Sequence, residues 1–121
     1  MRTELLTSIL RRLNQASPDI QASGVVTKDG LIMAAVLPQG VDEDWLGAMS
    51  AAISTLGDRA ARELVRGPFE QLLIKGSSGD LMMVHAGHET VLSIVSRADA
   101  PLAAIYQDAR LAANSIAELV S

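Results

Sequence analysis

The sequence contains no cysteine and very few aromatic residues. Without cysteine there can be no disulfide bond, no thiolate metal site and no cysteine nucleophile. The aromatic residues are Trp45, Phe69 and Tyr106. Base-stacking platforms and pockets for flat cofactors usually contain several aromatic rings. The composition therefore argues against both, and we expect no cofactor.

The chain also lacks a long apolar run and an excess of basic residues. No run approaches the roughly 18 apolar residues that a membrane span needs. The N-terminal stretch MRTELLTSILRRLNQ mixes charges into its apolar positions, unlike a secretory signal. A net charge of −4 disfavours non-specific nucleic-acid binding. We therefore expect no nucleic-acid partner, no membrane insertion, a cytoplasmic location and a single domain over residues 1–121.

The hydrophobic pattern predicts the element order α-β-β-α-β-β-β-α. Asp29-Gly30 between two apolar runs is typical of a tight hairpin, because glycine readily takes a positive φ. The last three strands are apolar on both alternating faces, which requires helices on both faces of the sheet. This predicts an α/β (α+β) fold with the first and last helices on one side and the middle helix on the other. The first predicted helix ends near residue 17, the second spans 42 to 65 or 66, and the third spans 101–119. The predicted strands span 20–27, 31 to 36 or 37, 69–75, 81–86 and 90–96.

The middle helix has two contrasting faces. Large apolar residues recur at spacings of three and four, which predicts a stripe that packs on the sheet. The other side carries small residues, and Gly47 alone lowers helix propensity by about 1 kcal/mol relative to alanine. A small-residue face lets a second helix approach closely, so it is interpreted as a dimer surface rather than an ordinary alanine-rich surface. The predicted stripe is Trp45, Met49, Ala52 or Ile53, Leu56, Ala60 and Leu64; the predicted dimer face is Gly47, Ser50, Ala51, Ser54, Gly57 or Asp58, and Ala61.

Three arginines, Arg59, Arg62 and Arg66, fall near the end of this helix. They favour the negative end of the helix dipole and help solubility. The sharper hypothesis is that they bind an acidic or phosphate-bearing partner surface.

No set of residues has the pattern of a catalytic or metal site. His85 and His88 are spaced as His-x-x-His, but one is predicted on a strand and the other in a turn, and a stable site needs a third ligand. Lys75-Gly76-Ser77 resembles a phosphate loop only in reverse order, and another strand follows it where a helix is required. We therefore expect no metal, no catalytic residue and no enzyme activity.

The order and spacing of these stretches resemble the roadblock/LC7 family over nearly the whole chain. The matching pieces are SGVVTKDGLIMAA, the acidic start and alanine-rich run DEDWLGAMSAAISTLGDRAARELVRG, FEQLLIKGSSGDLMMVHAGHETVLSIV, and a terminal amphipathic helix. Family members often have glycine before the last helix, where this chain has Ala100-Pro101. The resemblance implies a profilin-like sandwich with the five strands in one antiparallel sheet.

The resemblance also implies a partner. Family members form homodimers or heterodimers with a paralogue, in which the middle helices pack together and the third strands pair edge to edge. This would add Phe69, Gln71 and Leu73 to the dimer interface. MglB-like prokaryotic members regulate small Ras-like GTPases without supplying an arginine finger. The implied function is a dimeric, non-enzymatic GTPase regulator; the alternatives are a dimeric scaffold without effect on nucleotide turnover and a small-ligand sensor.

Overall fold

The computed structural model describes residues 1–120, with Val65 described by its backbone only. Its element order confirms the predicted one. The helices are α1 (Arg2–Ala16), α2 (Glu43–Ala60) and α3 (Leu102–Val120), and a π-helical segment, Ala61–Val65, continues α2. The strands are β1 (Ile20–Thr27), β2 (Ile32–Val36), β3 (Leu72–Lys75), β4 (Gly79–His85) and β5 (Thr90–Arg97).

Strand β3 is shorter than the sequence predicts, beginning at Leu72 instead of Phe69. The Phe69 ring stacks on the imidazole of His85 with 4.3 Å between ring centroids. An added Cβ on Gly57 would lie 3.4 Å from this ring. Phe69 thus fills the space between α2 and β4, and strand pairing starts only after it.

The five strands form one antiparallel sheet in the order β2-β1-β5-β4-β3. This confirms the predicted sheet and the position of β3 at its edge. The hairpin between β1 and β2 turns at Gly30, whose φ of 92° is the positive value that the Asp-Gly pair predicts.

Helices cover both faces of the sheet, as predicted. The main core joins α1 and α3 to one face through residues such as Leu10, Leu92 and Ile116. On the other face, the Ser93 hydroxyl of β5 donates a 2.8 Å hydrogen bond to Ser50 on α2. The neighbouring β5 residues Leu92 and Ser93 therefore point to opposite faces of the sheet, as the alternation of side chains along a strand requires.

The predicted orientation of α2 is wrong. The large apolar residues of the predicted stripe face outward, and most of the residues that pack against the sheet are small. Gly47, Ser50, Ala51, Ser54 and Asp58 are buried together with Leu46. The reason is the short distance between α2 and the β1–β2 hairpin, because a Cβ on Gly47 would lie only 2.3 Å from the carbonyl oxygen of Gly30 in the turn. The small residues thus allow α2 to approach its own sheet rather than a second helix.

The close approach generates a prediction with a matched control. Gly47→Ala and Gly57→Ala each gain about 1 kcal/mol of helix propensity. The new Cβ at 47 meets a backbone carbonyl at 2.3 Å, whereas the one at 57 meets the flexible end of Leu72 at 2.3 Å. We expect Gly47→Ala to lower the free energy of unfolding by about 1–3 kcal/mol and Gly57→Ala to change it by less than about 1 kcal/mol. Urea denaturation measures both, and a Gly47→Ala variant as stable as the parent would contradict the close contact.

Candidate protein-protein interface

The outward face of α2 is a continuous apolar surface, here called the α2 stripe. The exposed fractions of its large residues are 62% for Trp45, 68% for Leu56 and 83% for Leu64, with Met49 at 40%. Contiguous exposed apolar patches of this kind mark interaction sites in soluble proteins. The stripe consists of Trp45, Met49, Ala52, Ile53, Leu56, Ala60 and Leu64.

Strand β3 extends this surface to the edge of the sheet. Leu72 reaches the position of Gly57 on α2, so the strand lies beside the helix. Ile74, on the same face of the strand as Leu72, is 46% exposed, whereas Leu73 is 42% exposed on the opposite face, beside Met82. In the described part of the chain β3 pairs with β4 alone, which leaves one row of its backbone groups open to another strand.

The structure divides the predicted interface residues into accessible and inaccessible ones. Gln71 and Leu73 are exposed at the sheet edge, whereas Phe69 and Ala61 are half-buried. The other five, which sequence reasoning placed outward, lie between α2 and the sheet: Gly47, Ser50, Ala51, Ser54 and Asp58. The α2 stripe was visible in the sequence but was assigned to the core. The small residues on the opposite side of α2 are the signal that could have corrected this assignment, because they mark the face that contacts the sheet.

The two ends of α2 carry opposite charges. The Asp42 carboxylate accepts a 2.9 Å hydrogen bond from the Asp44 N–H and caps the helix, as predicted. Glu43 and Asp44 complete the acidic end. At the other end, Arg59 forms an exposed 3.2 Å ion pair with Glu63. Asp44 and Arg59 are about four turns apart and therefore lie along the same flank of the stripe.

The three arginines of the predicted partner site do not form one patch. Arg59 and Arg62 line a cleft of about 350 Å³ beside Lys28. Arg66 is exposed beyond the π-helical segment, where the backbone is extended. Only the first two are thus brought together.

The two histidines differ in their surroundings, although both line one hollow of about 250 Å³. The His85 imidazole donates a 3.0 Å hydrogen bond from Nε2 to Asp58 Oδ1, since a carboxylate oxygen only accepts. His88 is exposed in the turn between β4 and β5. Within residues 1–120, no three histidine or acidic side chains are grouped as metal ligands would be. None of the described helices is both long and apolar enough to span a bilayer.

These features define a small α+β domain whose most prominent surface is apolar and suited to binding protein. The roadblock/LC7 domain model matches residues 6–96. The uncharacterized protein MJ0310 of Methanocaldococcus jannaschii is 37% identical over 112 residues, which cover 93% of this chain and 96% of that protein. The chain belongs to the roadblock/LC7 domain family, which is generally a family of non-enzymatic regulators.

Solved structures share the fold. A structure of MglB with a tetrameric arrangement superimposes with a TM-score of 0.89 at 19% identity, covering 98% of this chain and 89% of that one. Myxococcus xanthus MglB gives a TM-score of 0.87 at 16% identity, covering 95% and 94%. The resemblance to this family and its fold, inferred from the sequence, is thereby confirmed.

Proposed function

We propose that the protein is a homodimeric, non-enzymatic regulator that binds a small Ras-like GTPase and modulates its nucleotide state in the cytoplasm. The observation that carries the proposal is the exposed α2 stripe in a domain that superimposes on MglB. Two steps make up the argument: why the chain pairs with itself, and why the pair acts on a GTPase.

Burial of the α2 stripe is the driving force for pairing. Full burial of one leucine or methionine side chain contributes roughly 1.5–3 kcal/mol. Trp45, Met49, Leu56 and Leu64 together leave a large apolar area in water. A second copy offers the same stripe and the same open β3 edge, so one two-fold contact satisfies both features.

Charge favours a self-pair with antiparallel helices. Asp44 and Arg59 lie on one flank at opposite ends of α2. A two-fold axis perpendicular to the helices brings the same flanks together with their directions reversed. Asp44 of one copy then meets Arg59 of the other, whereas parallel helices bring acidic end to acidic end. This self-complementarity supports a homodimer over a heterodimer with a paralogue.

A charge placed in the stripe tests the dimer. Leu56→Arg should convert the dimer to a monomer, because pairing would bury an unpaired guanidinium. Leu111→Arg is the matched control, since Leu111 on α3 is also 68% exposed but lies in the opposite layer. Sedimentation equilibrium at micromolar concentration should give a dimer mass for the control and a monomer mass for Leu56→Arg. Equal masses for the two variants would exclude the stripe as the interface.

Exchanging two charges tests the antiparallel arrangement. Asp44→Arg and Arg59→Asp should each raise the dissociation constant of the dimer by about three- to tenfold, because each places like charges opposite one another. The double variant restores opposite charges and should recover most of the parental affinity. The dissociation constants are measured by sedimentation at low salt, where such pairs are least screened. Additive losses in the double variant would contradict the proposed pairing.

The proposed action on a GTPase is supported by the resemblance to MglB-like family members. The resemblance to MglB-like members implies a regulator that repositions the GTPase's own residues. The exposed arginines are not proposed as catalytic fingers, because the MglB-like members that the chain resembles supply none. A module without chemistry of its own can still shift a GTPase between states by binding one of them more tightly.

Nucleotide-dependent capture followed by turnover tests this function. The immobilised dimer is exposed to lysate of its own organism containing a non-hydrolysable GTP analogue or GDP, and bound proteins are identified by mass spectrometry. We expect a Ras-like GTPase to be enriched in the analogue arm and its hydrolysis or exchange rate to change when the purified proteins are mixed. Replacing Arg59 or Arg66 by glutamine should alter that rate by less than about tenfold, whereas loss of an arginine finger costs 10³ or more.

Two outcomes would favour a dimeric scaffold over a regulator. One is a captured GTPase whose turnover does not change, and the other is capture of larger signalling proteins regardless of the nucleotide present. The Leu111→Arg protein serves as the control in both arms, since the proposed dimer leaves its site open.

A further inference from the structure

A basic cleft lies beside the end of α2, apart from the α2 stripe. Two adjoining hollows of about 350 and 250 Å³ share Lys28, Asp58 and Arg62 as lining residues. The second hollow is closed by His85 and by the β4–β5 turn with His88. We refer to the two together as the basic cleft.

Three separate parts of the chain supply its nitrogen-bearing side chains. Lys28 comes from the β1–β2 turn, which is joined to the β4–β5 turn by a 3.0 Å hydrogen bond from the Lys28 N–H to the Glu89 carbonyl. Arg62 is carried by the π-helical segment. Single π-helical turns are rare and occur frequently at functional sites. The convergence of three elements on one hollow distinguishes the basic cleft from a charged helix face.

The turn between β4 and β5 keeps one wall of the cleft open. Gly87 has a φ of 97°, which favours glycine, so backbone without a side chain lines this wall. His85 and His88, on either side of Gly87 in the sequence, both line this hollow.

The acidic residues in the cleft are already engaged. The Asp58 side chain is 11% exposed, and its Oδ1 accepts the hydrogen bond from His85 Nε2. Glu63 is paired with Arg59. Lys28 and Arg62 line both hollows, and neither forms an ion pair within the described part of the chain. The imidazole of His85, held by Asp58, lines the second hollow beside them.

We propose that the basic cleft is a phosphate-binding site in which Lys28 and Arg62 hold a tetrahedral oxyanion beside the His85–Asp58 pair. A guanidinium and an ammonium together match a phosphate dianion in charge, and the guanidinium offers two parallel donors. The phosphate is either the free ion or the phosphate group of a small monoester. The proposal is independent of the GTPase function, because it concerns a ligand of the isolated protein.

Titration with inorganic phosphate tests the site. The imidazole ¹H–¹³C signals of His85 and His88 are followed by NMR at pH 7, with ionic strength held constant by sodium chloride. We expect saturable shifts in the millimolar range or tighter. Lys28→Gln and Arg62→Gln should each raise the dissociation constant at least tenfold. Arg11→Gln, an exposed arginine on α1 in the opposite layer, should leave it unchanged.

Further arms separate the possible outcomes. Glycerol 3-phosphate replaces the free ion in a second titration: binding as tight as that of phosphate identifies a monoester site, and weaker binding identifies a free-ion site. Acetate is the comparator for a single carboxylate. Shifts that do not saturate, that persist unchanged in Lys28→Gln and Arg62→Gln, or that acetate reproduces with equal affinity would overturn the proposal.

Discussion

Helix α2 lies so close to the β1–β2 hairpin that backbone meets backbone, with Gly47 against the carbonyl group of Gly30 in the turn. Small residues line most of the inner face, and Leu46 is the large apolar residue of α2 that is buried there. The Ser50–Ser93 and Asp58–His85 hydrogen bonds then fix the rotation of the helix, because a turn about its axis would leave buried polar groups unpaired. The orientation of the α2 stripe follows from these contacts.

The same constraint explains why the two layers differ. Helices α1 and α3 pack on the sheet with leucine and isoleucine, and that face holds the main hydrophobic core. The α2 layer has a thin, partly polar contact and an apolar exterior. Such an inversion is unfavourable for an isolated domain, since apolar burial is the main stabilising term in folding. Contact with another protein surface would remove this apolar exterior from water, which is the physical basis of the proposed dimer.

Sequence reasoning recovered the fold because its signals are local. The Asp29-Gly30 turn, the Asp42 cap and the order of the strands each depend on neighbouring residues and agree with the structure, apart from the later start of β3 at Leu72. The faces of α2 were reversed for a different reason. Helical periodicity separates two faces but does not state which one meets the sheet, and the usual rule that the larger apolar face is internal fails here. The distance between Gly47 and Gly30, 17 positions apart, is a property of the packed domain alone.

The basic cleft was beyond sequence reasoning for the same reason. Lys28, Arg62 and His85 are separated by more than twenty positions from one another and belong to no motif. They converge because the buried Asp58 holds His85 against α2, and Arg62, four residues after Asp58, lies on the same side of the helix. Asp58 therefore has two roles: it anchors the inner face of α2, and it orients one wall of the cleft. The stripe and the cleft are therefore positioned by the same packing of α2 on the sheet.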